Sequence, residues 1–247
     1  MGSNDPGLNI RTLTLIAHKL RTPLSIINGY SEAILAQAEK EKFSPFTIKA
    51  LEEVYQQGGR MALLIEKLAS FNKVMSTDKK LLEKRPVALK SLLGDCVAKT
   101  LAQEEVPGLR PVEEAAAVKR GVQVDIDCPA NATINGNEDM LRLCVRELLA
   151  NAIKFNNKME KIIKVQVANH GNSISLSVRD YGVGIRPQDV THLFEPFYQV
   201  DDDFTGQISG WGVGLSMVQR IAQLHNATVS VVSDRGLGSI FTIKFPI

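Results

Sequence analysis

Side chains along the first ~75 residues follow a seam with alternating steps of four and three: Leu13, Ala17, Leu20, Leu24, Ile27, Ser31 and Ile34. Such a rhythm keeps one narrow stripe on one side of a helix and predicts coiled-coil-like packing. Polar and turn-forming residues from Glu39 to Pro45 interrupt it, and a second seam follows through Leu51, Val54, Gly58, Met61, Ile65 and Leu68. The break is short enough to return the chain antiparallel, so the two segments predict a helical hairpin. Two helices cannot enclose a core by themselves. Pairing two chains into a symmetric four-helix bundle would bury both stripes, and a homodimer is therefore expected.

After a charged, Pro-terminated stretch (Lys79, Lys80, Glu83 to Pro86) the pattern changes. Helix periodicity predicts a helix over about 90–119, and another opened by Asn137-Glu138-Asp139 and running to Phe155. Alternation predicts strands at 122–126, 162–168 and 173–180, the last two joined through His170-Gly171-Asn172. A helix over about 213–225 and a hairpin of 228–233 with 239–245, turning at Arg235 to Gly238, complete the chain. The expected organisation is a hairpin over 1–78, a linker over 79–86 and an α+β domain over 87–247 built as a two-layer α/β sandwich. The stretch from Arg186 to Gly210 is too long for an ordinary connection and reads either as an active-site lid or as disordered.

Composition removes several classes of function. At 247 residues, 44% hydrophobic and 23% charged, the chain is an ordinary globular sequence. A net charge of +2 without long like-charge runs gives no sign of a nucleic-acid partner. No stretch has the 18 or more apolar residues of a membrane span. Met1-Gly2-Ser3 has the look of an expression scar, so a cytoplasmic portion of a longer, membrane-anchored protein is compatible with this sequence. Cys96, Cys128 and Cys144 have no metal-ligand spacing and read as buried thiols.

Candidate chemistry lies in a few places. His18 follows seam residue Ala17 and so turns off the buried stripe; Thr22 stands one turn later on the same face, and Pro23 bends the helix locally. Glu147, Asn151 and Lys154 share one helical face, with Leu148, Leu149, Ala152 and Phe155 expected to pack behind it; a carboxylate and an amide oxygen suit Mg²⁺ or its waters and a lysine suits phosphate, a plain solvated face being the competing reading. Two glycine boxes, Asp180-Tyr181-Gly182-Val183-Gly184-Ile185 and Gly210-Trp211-Gly212-Val213-Gly214-Leu215, match neither a P-loop nor a dinucleotide fingerprint. Glycines ahead of a helix do let backbone N–H groups approach phosphate, and an Asp ending a buried strand can accept from an exocyclic amine.

His18 to Leu24, the Asn151 and Asp180 boxes, Phe194-Glu195-Pro196-Phe197-Tyr198, the Gly210 to Leu215 box and the closing Gly236 to Phe241 occur in an order that resembles the sensor histidine kinases of two-component signalling. The resemblance runs from about residue 10 to the C-terminus. It implies a dimerisation and phosphotransfer hairpin followed by a Bergerat-type ATP-binding domain, with Mg-ATP as the phosphoryl donor. His18 is then the phosphoacceptor, and the receiver domain of a response regulator the next recipient. By the same likeness Thr22 orients water for the reverse dephosphorylation. Asn151 binds Mg²⁺, Glu147 holds its waters or assists proton movement, Lys154 faces the phosphates, and Asp180 selects adenine. Gly182, Gly184 and Ile185 lie along the base, and Tyr198 belongs to an aromatic hinge with Phe194 and Phe197. Gly210, Gly212, Val213, Gly214 and Leu215 line the phosphates, and Trp211 either packs there or touches the nucleotide. No role falls to His170, His192 or His225.

Two positions depart from the family pattern. Lys19 stands where an acidic residue usually follows the histidine, and a lysine cannot accept the imidazole Nδ1 proton. Gln199 stands where many relatives carry arginine. Both leave open an alternative, a dimer without autokinase activity that senses nucleotide or binds a regulator.

Overall fold

The computed structural model describes residues 6–41, 43–102, 121–200 and 211–247, the side chains of 6–19 and 38–41 excepted. The chain divides into two compact units, one ending at Ser76 and the other starting at Thr77.

The first unit is a helical hairpin of α1 (Pro6–Glu41) and α2 (Pro45–Ser76), packed against each other along their length. α1 continues through Pro23 without ending. Ser44 opens α2 by accepting the Thr47 N–H on its hydroxyl, which satisfies one of the unpaired donors of the first turn. The two predicted seams split in an informative way. Leu24 and Ser31 of α1 and Gly58 and Ile65 of α2 are buried within the hairpin. Leu20, Ile27 and Ile34, with Val54 and Met61, stay 38–47% exposed. One half of each stripe is thus used inside the hairpin, and the other half remains open.

The second unit opens with a single 3-10 turn, Lys79–Leu81, capped by the Asp78 carboxylate, and with strand β1 (Arg85–Ala88). The stretch read as a linker therefore already carries local structure. β1 pairs antiparallel with β3 (Thr133–Gly136), a two-stranded ribbon the hydrophobic pattern did not predict because both strands are four residues long. α3 spans Leu89–Ala102; the remainder of the helix expected to reach residue 119 lies outside the described residues.

The main sheet has the order β2-β4-β5-β7-β6, where β2 is Val122–Asp127, β4 Lys161–Asn169, β5 Ser173–Arg179, β6 Thr228–Asp234 and β7 Gly238–Pro246. β2 runs parallel to β4 and the other pairs are antiparallel. Alternation is strict on β4: Ile163, Val165 and Val167 are buried, while Ile162, Lys164 and Gln166 face outward. On the covered face lie α3, α4 (Glu138–Lys154) and α6 (Gly214–Leu224), with α4 packed against both neighbours. The core between the layers is Leu92, Leu93, Leu148, Leu149, Ile163, Leu176, Met217, Ile221 and Ile243, all 2% exposed or less. This is the expected two-layer sandwich.

Asn137 starts α4 by accepting the Met140 N–H at 3.1 Å, and Glu138 and Asp139 complement the dipole in its first turn. A short helix α5 (Pro187–Val190) follows Arg186, so the first part of the stretch read as a lid or as disordered carries secondary structure; residues 201–210 lie outside the described residues. Cys96 and Cys144 are buried as expected, whereas Cys128 is only half-buried because it follows the outer strand β2.

Candidate functional site

The site begins where β5 ends. Asp180 is 5% exposed, its N–H donates to the Ser239 carbonyl at 3.0 Å, and its Oδ1 accepts the Gly182 N–H at 2.8 Å. Burial pushes its carboxyl above the usual carboxylate range, against the pull of these backbone bonds. The chain then runs against the C-terminal turn of α4: Val183 donates to the Phe155 carbonyl at 3.0 Å. A Cβ on Gly182 would run into that same carbonyl oxygen, so only glycine lets the two segments come this close. Beyond it, the Val183 carbonyl accepts from Gly236 at 2.7 Å and Ile185 donates to Ser233 Oγ at 2.9 Å. These bonds fasten the segment around Gly184 to the turn between β6 and β7.

α4 supplies the adjoining wall. Glu147, Asn151 and Lys154 are half-buried on successive turns of one face, while Leu148, Leu149 and Ala152 pack inward. The Lys154 ammonium stands 4.6 Å above the centroid of Phe155. Phe155 itself is 39% exposed, not packed behind the helix, and its backbone carbonyl, not its ring, is what meets Gly182. The helical pattern hid this because Phe155 lies just past the last helical residue, where the period no longer fixes direction. The turn is held from below by Lys161, an 8% exposed lysine whose ammonium donates to the Ile153 carbonyl at 3.0 Å.

The third part is the N-terminus of α6. Trp211 is 39% exposed, Val213 is fully buried and Leu215 half-buried. The N-cap residue, Val213, gives the first turn of α6 no side-chain cap. Gly212 stands at φ +65°, which glycine adopts without penalty, and its carbonyl accepts from Phe197 at 2.8 Å. Gly210 lies outside the described residues. The Tyr198 hydroxyl donates to the Asp189 carboxylate at 3.0 Å, and Gln199 is exposed. Sequence reasoning had no reason to single out Asp189, which lies in none of the motifs.

His18 and Thr22 belong to the other unit, on α1. Thr22 is exposed, and the side chains of His18 and Lys19 lie outside the described residues. Among the described residues no group of three or more His, Cys, Asp or Glu gathers as a metal site. A cation here would have Glu147 and Asn151 as protein ligands and would keep the rest of its shell from water and phosphate. That suits Mg²⁺, which gives up its waters reluctantly.

A helix-backed mixed sheet with a buried strand-end carboxylate, an amide and lysine face and a glycine-led helix suits an ATPase sandwich. Residues 136–247 match the family of histidine kinase-, DNA gyrase B- and HSP90-like ATPases, and residues 9–76 match the His Kinase A phosphoacceptor domain. The chain belongs to the sensor histidine kinases. It is 31% identical over 230 residues to the phosphate regulon sensor protein PhoR of Pseudomonas aeruginosa, covering 93% of this chain and 48% of PhoR. It is 30% identical over 231 residues to the sensor histidine kinase RppB of a Synechocystis species, covering 94% of this chain and 47% of RppB. The chain thus spans about half the length of the curated relatives it matches. In fold it is similar to full-length ShkA in complex with AMPPNP, with a TM-score of 0.69 at 22% identity, over 96% of this chain and 45% of that one. Among the described residues no helix is long and apolar enough to cross a membrane.

Proposed function

We propose that this chain transfers the γ-phosphoryl of ATP to His18 and from there to an aspartate on the receiver domain of a response regulator. The observation that carries the reading is the buried Asp180 carboxylate at a strand end, its following segment bonded to the turn that ends the Asn151/Lys154 helix, in one chain with a match to a phosphoacceptor domain. Asp180 Oδ1 is engaged by Gly182, and the remaining lone pairs suit the adenine 6-amino group. Lys154 offers its ammonium to the phosphates, and the N–H groups of α6 the favourable end of a helix dipole.

In the first step the imidazole Nε2 of His18 attacks the γ-phosphorus, the bond to the β,γ-bridging oxygen breaks, and ADP leaves. In the second a receiver carboxylate takes the phosphoryl group and frees His18. Both steps depend on alignment and on neutralising spreading negative charge more than on covalent activation. Bound Mg²⁺, held by Asn151 and by Glu147 or its waters, would supply part of that neutralisation. Thr22, exposed one turn after His18, suits the orientation of a water for the reverse hydrolysis of the phosphorylated regulator.

The half-seam left open on the hairpin (Leu20, Ile27, Ile34, Val54, Met61) supports a homodimer through a four-helix bundle. The proposed domain boundary lies between Ser76 and Thr77, so the catalytic domain takes in the stretch read as a linker over 79–86, whose Arg85 and Pro86 belong to β1. The test is incubation with γ-labelled ATP and Mg²⁺. Label that is acid-labile, alkali-stable and absent from His18→Ala is expected. Nucleotide binding without any label would overturn the kinase reading in favour of a nucleotide-sensing or regulator-binding dimer, the outcome that Lys19 and Gln199 would explain.

A further inference from the structure

Arg186, Asp189 and Tyr198 form a closed polar triad. Asp189, on α5, is 6% exposed, a position where a carboxylate is costly unless donors fill its lone pairs. Here two do: Arg186 Nε donates to Oδ2 at 2.6 Å, and the Tyr198 hydroxyl donates to Oδ1 at 3.0 Å. The Arg186 guanidinium holds the Asp189 carboxyl below the usual carboxylate range. His192 lies against the Tyr198 ring, centroids 5.4 Å apart, and its Nδ1 meets Glu195 at 2.9 Å.

Backbone contacts carry this anchoring to the glycine segment. Tyr198 directly follows Phe197, which stands at φ +67°, a conformation bulky residues keep only when their surroundings impose it. Phe197 donates its N–H to the Gly212 carbonyl, and a Cβ on Gly212 would meet the Phe197 carbonyl carbon and the Tyr198 carbonyl oxygen at 2.6 Å each. On its other side Gly212 leads into fully buried Val213, whose carbonyl accepts from Met217 N–H and Ser216 Oγ. The Gly212 peptide is therefore gripped between the Phe197-Tyr198 backbone and the core anchor of α6.

We propose that Asp189 is a positioning residue for phosphate binding: by holding Tyr198 it fixes the Phe197–Gly212 hydrogen bond and so aims the peptide groups that open α6. The proposal rests on the reading of α6 as the phosphate end of a nucleotide site. The role is indirect, since both Asp189 carboxylate oxygens are engaged by Arg186 and Tyr198. The adenine end is built separately, from Asp180 and Gly182, so loss of the triad acts on phosphate recognition and spares the base.

The experiment compares Asp189→Asn, Tyr198→Phe and the double variant in the full chain, with ADP and adenosine binding followed by NMR titration and autophosphorylation kinetics read as KM and kcat. Expected in each single variant is an ADP affinity lower by about tenfold, the scale of one lost hydrogen bond to a charged group, with adenosine affinity held within about twofold and KM raised at constant kcat. The double variant loses no more than the worse single one, since both cut the same link. Tyr198→Phe removes only a hydroxyl and decides the matter should Asp189→Asn not fold. Equal losses for ADP and adenosine, unchanged ADP binding, or additive losses would each overturn the role. Wild-type protein that binds neither ligand would instead overturn the nucleotide reading beneath it.

Discussion

The imidazole of His225 accepts the backbone N–H of Asn137 on Nε2 at 2.9 Å while its Nδ1 donates to the Ile221 carbonyl at 2.7 Å. The ring, 4% exposed, joins the C-terminal turn of α6 to the residue that caps α4, and this pair of bonds specifies the neutral Nδ1–H tautomer. It also packs edge-on against Phe245. No sequence pattern gives this residue more than a helix-end position.

A pH dependence follows. Burial, the larger cause, and nearby Lys84 push the His225 pKa below its ordinary 6.5. A base whose folded pKa is depressed contributes its full stability above the unfolded pKa and loses it as pH falls below, because the unfolded chain then binds more protons. Protonating Nε2 would also orphan the Asn137 N–H, at a cost of about 1–3 kcal/mol. The urea midpoint of the full chain is expected to fall between pH 7 and pH 5. In His225→Gln, which keeps a donor and an acceptor but cannot titrate, that fall is expected to be smaller; an unchanged slope would remove His225 as its source.

Asp180→Asn tests the base end of the site. The amide keeps an oxygen for the Gly182 N–H and removes the charged acceptor offered to an exocyclic amine. With hydrogen bonds to charged groups contributing about 1.5–3 kcal/mol, nucleotide affinity is expected to fall at least tenfold. Because burial raises the carboxyl pKa in the wild type, its neutralisation is tolerated and the melting temperature is expected to hold or rise slightly. Titration of ADP with Trp211 fluorescence as the readout, paired with calorimetry, checks both. Equal ADP affinity in the two proteins would remove Asp180 from the site.

Lys19 offers a chemical test independent of the pocket. A carboxylate at that position can accept the Nδ1 proton of His18 and support the positive charge that develops when Nε2 attacks phosphorus, whereas an ammonium opposes it. Lys19→Glu is expected to raise the autophosphorylation rate by about tenfold or more, up to the roughly 10²–10⁴-fold available to a positioned acid or base. Equal initial rates of label incorporation in the two proteins would mean that the proton is taken elsewhere.

The parts of this molecule readable from sequence were those with a period or a local motif. The seam of α1 and α2, the alternation of β4 and β5 and the Asn137 cap of α4 each depend on residues a few positions apart. What escaped depends on distant partners. β1 and β3 are too short to show a period and exist because residues 85–88 meet 133–136. Lys161 is buried because the Ile153 carbonyl is there to receive it. Asp189 lies in a stretch read as irregular, and its meaning appears only once Tyr198, nine residues on, folds back to it. Phe155 was misplaced for a related reason: the helix ends one residue earlier, and its carbonyl accepts the Val183 N–H from the segment that follows β5.

The split of the hairpin seam yields two opposite outcomes from neighbouring isoleucine and leucine positions. Leu24 is 6% exposed and in contact with Ile65 inside the hairpin, so Leu24→Ala leaves a void and is expected to cost about 2–4 kcal/mol of hairpin stability. Ile27, three residues later, is 44% exposed and contributes little to that core. Ile27→Asp is therefore expected to leave the helicity of a single hairpin nearly intact, while placing two like charges in the interface of a symmetric bundle, where unpaired charge is strongly unfavourable. Sedimentation equilibrium would then show a dimer for the wild type and a monomer for Ile27→Asp, with circular dichroism almost unchanged. Loss of helicity together with mass would mean that the hairpin depends on its partner for folding, and an Ile27→Asp dimer as tight as the wild type would place the interface on a different face.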